Sequence, residues 1–239
     1  MFKSEKPLIR WLVGPVHPVG FQILRHSVIK ISKIYGDEFD LVICHNNLKP
    51  KQFKFIQSLG VPLHAQQQEH GGLLKKFTPW RCSWKFYPPR MRPNQHELFL
   101  DNDIVIWQRI PSLDRFLASD EIIVTEAFKR CYGRYDKLVK ADVNLNTGFF
   151  GLPPNLDFES KIMEIISKLN TKNNPYVDHF DMQGIMAAIA VNHGYIYVPR
   201  IDISVCVSGW EKGKYGDHFI GSNSGVEHHW LDYRQHTLI

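Results

Sequence analysis

Several features that would assign this 239-residue chain to a familiar class are missing from it. No stretch approaches the roughly 20 apolar residues of a membrane-spanning helix. The polar segment 1–6 precedes only a short apolar run, without the core and cleavage site of a signal peptide. The cysteines form no Cys-x-x-Cys pair, so we expect buried, reduced thiols in a cytoplasmic protein. They are Cys44, Cys82, Cys131 and Cys206.

Glycine-rich phosphate-binding motifs are also missing. The turn after the first apolar run is Gly14-Pro15 rather than Gly-x-Gly-x-x-Gly, and no Gly-x-x-x-x-Gly-Lys-[Ser/Thr] segment occurs. Dehydrogenase and P-loop interpretations therefore lose their main support. The net charge is +5, with lysine and arginine spread along the chain rather than along one stripe. We therefore expect no nucleic-acid partner. The excess of positive charge would attract an anionic ligand such as a nucleotide diphosphate, or favour peripheral contact with a membrane surface.

Apolar runs and amphipathic stretches alternate in the first part of the chain. Apolar residues at spacings of three and four over 21–34 predict a helix that ends at Gly36. Alternation of strand and helix suggests parallel strands joined by crossover helices. The predicted elements here are strands over 8–13 and 39–44 and helices over 21–34 and 49–59.

The second part of the chain contains an excursion rich in loops over 65–93, and then further strands and helices. After Asp202 the chain is again rich in glycine and polar residues, although Cys206 lies in an apolar, strand-like run. We expect a single α/β domain over 1–239. The remaining predicted elements are strands over 98–100, 122–124, 147–151 and 195–198 and helices over 158–169 and 181–191.

Polar clusters follow three of the predicted strands, where a doubly wound sheet places its ligands. They are Gly14-Pro15, His45-Asn46-Asn47 and Asp101-Asn102-Asp103. Asp101 and Asp103 project to the same side of an extended chain, where their carboxylates repel and are costly to desolvate. A hard divalent cation, Mg²⁺ or Mn²⁺, relieves both problems. Apolar residues flank the triplet on both sides, unlike a solvated acidic turn.

The segment 97–106 resembles that of nucleotide-diphospho-sugar glycosyltransferases of the GT-A fold. The resemblance is greatest to their retaining group, which includes glycogenin-like and bacterial galactosyltransferase-like enzymes. Three other segments match in order: Trp84-Lys85-Phe86-Tyr87-Pro88, Asn146-Thr147-Gly148-Phe149-Phe150 and His218-Phe219-Ile220-Gly221. The resemblance implies an α/β fold of GT-A type, with a Rossmann-like, mixed and mostly parallel central sheet flanked by helices.

The resemblance also implies roles for the matched positions. His218 would be the third metal ligand beside Asp101 and Asp103, and a histidine ligand favours Mn²⁺, with Mg²⁺ as the alternative. Asn46 is open to two interpretations, a contact to the base or ribose and an ordinary turn residue. The positions assigned to the donor are Gly14, Asn46, Lys85, Asn102, Asn146 and Gly221.

The chain departs from the family pattern in two places. Ser224 stands where the family often has a lysine that pairs with the diphosphate, and Lys212 and Lys214 could supply that charge instead. The family's Asp-Gln pair is here interrupted, as Asp181-Met182-Gln183. With retention, Asp181 or Gln183 would lie near the anomeric carbon, whereas with inversion Asp181 would be the base that deprotonates the acceptor.

The function implied is metal-dependent transfer of a hexosyl group from a nucleotide-sugar donor, with UDP as the nucleotide, to a hydroxyl of a glycan, lipid-linked or protein acceptor. Trp210 and Trp230 are favoured for the acceptor site, because both lie in glycine-rich segments near His218. Two alternatives stay open. A sugar nucleotidyltransferase would carry a basic, glycine-rich loop after its first strand, which segment 14–18 does not resemble. A non-catalytic nucleotide-sugar binder would not need an intact metal site.

Overall fold

A computed structural model describes residues 6–66, 90–169, 178–206, 211–221 and 230. The strands are β1 (Leu8–Val13), β2 (Asp40–His45), β3 (Leu63–Ala65), β4 (Glu97–Asp101), β5 (Ile104–Ile106), β6 (Ile122–Glu126), β7 (Leu145–Leu152), β8 (Tyr195–Val198), β9 (Ile203–Val205) and β10 (Gly216–His218). The helices are α1 (Pro18–Tyr35), α2 (Pro50–Gln57), α3 (Pro111–Leu117), α4 (Phe158–Ser167) and α5 (His179–His193), together with a 3₁₀ helix, Gly133–Leu138.

The central sheet has seven strands in the order β3-β2-β1-β4-β7-β6-β8. Only β7 runs antiparallel to its two neighbours, and the other pairs are parallel. β1 is buried along its whole length, as expected for an inner strand covered on both faces. The prediction of a mixed, mostly parallel sheet is therefore confirmed.

Helices cover both faces of this sheet. On one face α1, α2 and α3 contribute Ile31, Ile56 and Phe116 to a shared apolar cluster with the strands. On the other face α4 and α5 contribute Ile162 and Ile185 to a second cluster. The arrangement is a three-layer α/β/α domain, in which the two apolar clusters bury the sheet between helices.

A second, three-stranded sheet in the order β5-β10-β9 lies beside α1. β10 pairs antiparallel with β5 and parallel with β9. A small apolar cluster joins this sheet to α1, with Val19 and Ile23 from the helix and Val105, Cys206, Phe219 and Trp230 from the other side. The strand-like run predicted around Cys206 adjoins β9, whereas nothing in the polar sequence that follows predicted β10.

Most predicted elements occur close to their expected bounds. β1 and β8 begin and end where predicted, and α1 ends at Tyr35 with Gly36 as its cap. Cys44 and Cys206 are buried free thiols and Cys131 is a half-buried one, while Cys82 lies outside the described residues. Burial raises the pKa of the Cys44 thiol to about 11. None of the described helices is long and apolar enough to cross a membrane.

Candidate metal and donor site

One edge of the central sheet gathers several of the predicted site residues. β1, β2 and β4 are parallel, so Gly14, Asn46 and Asp101 share the edge at their carboxyl ends. β7 runs the opposite way, so its first residues, including Asn146, begin at this edge. Residues far apart in the chain therefore meet along one side of the sheet.

Asp101, Asp103 and His218 converge at this edge. One ligand atom from each lies within 4.8 Å of the other two. His218 Nε2 is 3.3 Å from Asp103 Oδ1, and both side chains are buried, while Asp101 is half-buried. Two carboxylates and an imidazole form a donor set that suits a divalent cation such as Mn²⁺. The arrangement fits the predicted three-ligand site, since each side chain can direct an oxygen or a nitrogen toward a common point.

The second sheet brings His218 to the acidic triplet. In the β5–β10 pair His218 lies opposite Ile104, the residue that follows Asp103. The Phe219 N–H donates to Asp103 O at 2.9 Å, and the Cys206 N–H donates to His218 O at 2.9 Å. Backbone pairing on both sides of β10 therefore fixes the histidine beside the carboxylates.

Asp217, the residue before His218, was missed by sequence reasoning. It is fully buried, and its Oδ1 accepts hydrogen bonds from Ser204 Oγ at 2.6 Å and from the Gly213 N–H at 2.8 Å. A buried carboxylate with such partners ties β9 and the segment before β10 to β10 itself. An Asp-His pair next to a metal motif was visible in the sequence, but its partners were not.

Asn102, the middle residue of the triplet, has an anchoring contact. Its Nδ2 donates to Gly20 O of α1 at 3.3 Å, and the residue is buried. This contact ties the turn between β4 and β5 to the first helix and orients the two flanking aspartates. A contact of Asn102 with the donor stays a prediction.

The Asn146-Thr147-Gly148 segment packs directly against His218. Asn146 Oδ1 accepts a hydrogen bond from the Gly148 N–H at 2.8 Å. A Cβ atom on Gly148 would lie 2.5 Å from His218 Cε1 and 3.1 Å from His218 Nδ1. The glycine therefore leaves the room that the imidazole occupies, and Asn146 holds that stretch of backbone.

We expect Gly148→Ala to weaken Mn²⁺ binding by about 10- to 100-fold, the usual cost of disturbing the support of a ligand. The added methyl group must displace the His218 ring, because a contact at 2.5 Å is too short for carbon atoms. Titration of Mn²⁺ followed by electron paramagnetic resonance measures the change. Gly151→Ala is the matched control on the same strand: its Cβ would meet Ile123 and Phe116, so stability falls while Mn²⁺ affinity stays. Equal affinities for Mn²⁺ in wild type and Gly148→Ala would contradict the packing argument.

The described residues at the β2–β3 end of this edge are histidines and an asparagine rather than carboxylates. His45 ends β2 beside Asn46, and His64 lies on the neighbouring strand β3. Burial lowers the pKa of both histidines, and each is therefore uncharged at pH 7. The Asn46 N–H donates to Val13 O at 3.1 Å, and its side chain is half-buried at the sheet edge. Asn46 and Gly14 thus lie where a donor was predicted, and their roles stay predictions.

Lys212 and Lys214 lie in the exposed segment that leads into β10. Lys212 Nζ lies over the Trp107 ring at 4.6 Å from its centroid. A hydrogen bond to Tyr215 raises the pKa of Lys214. Gly221 follows β10 with φ +84°, a backbone conformation that favours glycine. The segment thus carries two cations on one side of His218 and the glycine on the other.

Asp181 and Gln183 lie near the start of α5. Because α5 ends at His193 just before β8 begins, its first turn faces the carboxyl ends of β6 and β8. Asp181 is buried and accepts hydrogen bonds from the Arg134 N–H at 2.7 Å and Arg134 Nε at 2.8 Å, with Nη2 at 2.6 Å. Gln183 Nε2 donates to Cys131 O at 3.0 Å. Sequence reasoning missed Arg134, which no motif marks.

The predictions for the remaining donor and acceptor residues have different outcomes. Lys85 lies outside the described residues, as do Trp210 and Ser224, so their roles stay predictions. Trp230 is 1% exposed and packs edge-to-face against His26 and Phe219. The acceptor-site interpretation of Trp230 is wrong, because a ring buried in the core cannot stack on a sugar.

Comparisons with known proteins agree on the fold. No family model matches the chain, and no curated protein matches it in sequence. Among solved structures, the galactosyltransferase LgtC in complex with donor and acceptor sugar analogs superposes with a TM-score of 0.60 at 10% identity, covering 90% of this chain and 87% of LgtC. Mouse xyloside xylosyltransferase 1 gives 0.58 at 11% identity, with 91% and 98% of the two chains covered. A glycosyltransferase involved in the glycosylation of the major capsid of PBCV-1 superposes with a TM-score of 0.51 at 13% identity. The match covers 95% of this chain and 99% of that protein.

The chain therefore has the GT-A fold of nucleotide-sugar glycosyltransferases, as the sequence resemblance implied. At identities this low the likeness establishes the fold alone. What the protein does has to be argued from its site.

Proposed function

We propose that the protein is a metal-dependent glycosyltransferase that moves a hexosyl group from a UDP-linked donor to a hydroxyl acceptor. The observation that carries this proposal is the convergence of Asp101, Asp103 and His218 at the carboxyl edge of the sheet. The fold supports it, because structures of this shape include transferases with galactosyl and xylosyl specificity. The acceptor is a hydroxyl of a glycan, a lipid-linked sugar or a protein.

Asp101, Asp103 and His218 would hold Mn²⁺, with Mg²⁺ as the alternative. When bound, the cation supplies Lewis acidity toward the departing diphosphate. The two carboxylates supply opposite charge for it, and His218 supplies a neutral nitrogen of fixed direction. Asn102 and Gly148 support these ligands. Asn102 holds the turn between the two aspartates against α1, and Gly148 leaves room for the imidazole of His218.

The surroundings of Asp181 favour retention over inversion. An inverting enzyme needs a carboxylate that takes the acceptor proton. Asp181 instead is buried, and both of its carboxylate oxygens accept hydrogen bonds from the backbone and guanidinium of Arg134, so the carboxylate is engaged within the protein rather than open to an acceptor hydroxyl. Gln183, a neutral amide one turn into α5, cannot serve as a base either. In our proposal Asp181 holds Arg134 and the start of α5, and Gln183 lies near the anomeric carbon.

The test is incubation of the full chain with UDP-sugars and Mn²⁺, with and without EDTA. We expect UDP release that EDTA abolishes and Mn²⁺ restores. Turnover that depends on pyrophosphate would indicate a sugar nucleotidyltransferase, and tight binding without turnover would indicate a non-catalytic binder. Product stereochemistry, measured by NMR of the anomeric proton, separates retention from inversion.

We expect the double change Lys212→Ala and Lys214→Ala to weaken donor binding by about 30-fold, since each ammonium group near a diphosphate contributes roughly 1 kcal/mol. The loss should shrink as salt is added, because both side chains are exposed and screening weakens their attraction. Calorimetry with UDP and Mn²⁺ measures the affinity. Lys161→Ala with Lys168→Ala is the matched control, because these lysines pair with Glu164 on α4. Unchanged donor affinity in the Lys212/Lys214 variant would remove both lysines from the site.

A further inference from the structure

α1 and α2 form a continuous helical surface on one face of the sheet. They contact each other through Phe21 and Phe55, whose rings meet edge-to-face at a centroid distance of 5.6 Å. Both helices bury their inner residues in the same apolar cluster. Their outer sides therefore lie next to each other and face away from the core.

This surface is basic and contains no acidic side chain. Neither α1 nor α2 includes an aspartate or a glutamate. Arg25 and Lys33 on α1 and Lys51 and Lys54 on α2 are exposed. In the part of the chain that the structure describes, none of these four forms an ion pair. Their charge is thus not neutralised locally, which is unlike the mixed charges of an ordinary solvated face.

Of the three acidic residues just after α1, which are Asp37, Glu38 and Asp40, two are bound by other cations. Glu38 is bound by Arg109, whose guanidinium lies 2.5 Å from its carboxylate. Asp40 is bound by Arg92. Asp37 is exposed and forms no ion pair with a cation of α1 or α2 among the described residues, so the positive charge of the two helices exceeds this one carboxylate.

Two large apolar side chains are exposed among these cations. Ile29 is 53% exposed and lies one helical turn from both Arg25 and Lys33, so the three form one line along α1. Phe53 is 37% exposed and lies between Lys51 and Lys54 in the sequence of α2. A partner that would bind both the cations and the exposed apolar side chains is anionic at its surface and apolar inside.

We propose that this basic helical face, formed by Arg25, Ile29, Lys33, Lys51, Phe53 and Lys54, docks on an anionic phospholipid bilayer. Cations attract the anionic headgroups, and apolar side chains enter the boundary between headgroups and acyl chains. The phosphates of a nucleic acid would pair with the cations, but they would gain nothing from contact with an exposed isoleucine. Phe53 packs against His45 at the carboxyl end of β2, with ring centroids 5.3 Å apart. The docked face therefore borders the sheet edge that carries the metal ligands.

The experiment is flotation of the full chain with vesicles of phosphatidylcholine alone and of phosphatidylcholine with phosphatidylglycerol. We expect binding to the anionic vesicles only, and release at high salt. Changing Arg25, Lys33, Lys51 and Lys54 together to glutamine should lower partitioning more than 100-fold, at about fivefold for each cation near the surface. The matched control changes Lys137 and Lys140, two exposed lysines outside these helices, and should bind as wild type. Thermal melts check that every variant is folded.

Ile29→Ser separates the bilayer from other polyanions. It keeps every charge and should lower vesicle partitioning by roughly tenfold, because one buried aliphatic side chain is lost. Binding to a DNA duplex should be weak and unaffected by it. Equal binding of wild type and the four-glutamine variant, binding to neutral vesicles, failure of wild type to float, or tighter binding to the duplex than to the vesicles would each overturn the proposal. None of these outcomes bears on the metal site.

Discussion

Asp103→Ala and His218→Ala should each abolish metal-dependent turnover, with a loss of about 1,000-fold or more. Each change removes one of three convergent ligand atoms, and the charge stabilisation that depends on them amounts to several kcal/mol. UDP release measures turnover, and Mn²⁺ titration by electron paramagnetic resonance measures the site directly. The fold should persist, because the backbone bond from Phe219 to Asp103 does not involve either side chain.

Two further variants show whether the loss comes from the ligands. Asp103→Asn keeps the size of the side chain and removes its charge, so it should lose Mn²⁺ with little change in melting temperature. His193→Ala removes an exposed histidine at the end of α5 and should leave Mn²⁺ binding unchanged. Full activity and full Mn²⁺ affinity of His218→Ala would sink the three-ligand site and leave only the acidic motif. If wild type binds Mn²⁺ normally but turns over no sugar nucleotide, the proposed reaction is contradicted and the proposed metal site is not.

The parts of the fold that were predicted are those with a local signal. β1 and α1 could be predicted from the sequence. A run of apolar residues predicts the strand, and apolar residues at spacings of three and four predict the helix, and both patterns depend on neighbouring residues only. The two parts of the candidate metal site were also predicted, since Asp101-Asn102-Asp103 and His218 each lie in a short motif. Their meeting was implied by the resemblance to a known fold, and the structure brings one ligand atom of each side chain within 4.8 Å of the others.

The second sheet could not be predicted, for a physical reason. β9 and β10 have only three residues each, too few to show a period. Their stability comes from pairing with β5 and from the buried contact of Asp217 with Ser204, both distant in sequence. Tertiary contacts of this kind override local propensity in short strands.

The same limitation explains Asp181. Its position at the start of a helix was visible, and its burial against Arg134 was not, since Arg134 belongs to a 3₁₀ helix without a sequence signal. The structure therefore changes its expected role from a base open to the acceptor to a buried carboxylate that holds Arg134. A carboxylate in a sequence predicts charge, whereas its partners decide its chemistry.

Glu97→Ala should lower the free energy of unfolding by about 3–5 kcal/mol, the cost of breaking a buried ion pair. Glu97 Oε1 lies 2.9 Å from Arg10 Nε, and both side chains are 0% exposed. The carboxylate also accepts hydrogen bonds from the N–H groups of Met91 and Arg92 at 2.9 and 3.0 Å. Removing it leaves a buried guanidinium without its counter-charge and two amides without their acceptor. Urea denaturation followed by circular dichroism measures the change.

The exposed pair of Glu38 and Arg109 supplies the matched control. Glu38→Ala should cost at most about 1 kcal/mol, because both side chains are more than 40% exposed and water screens their attraction. Adding Arg10→Met to Glu97→Ala should recover part of the loss, since the Arg10 charge disappears while Arg90 and the two amides still lack the Glu97 carboxylate. If Glu97→Ala and Glu38→Ala cost the same, the Arg10–Glu97 pair is not buried in solution. If the double variant recovers nothing, the loss lies in Arg90 and the amides of segment 91–92 rather than in Arg10.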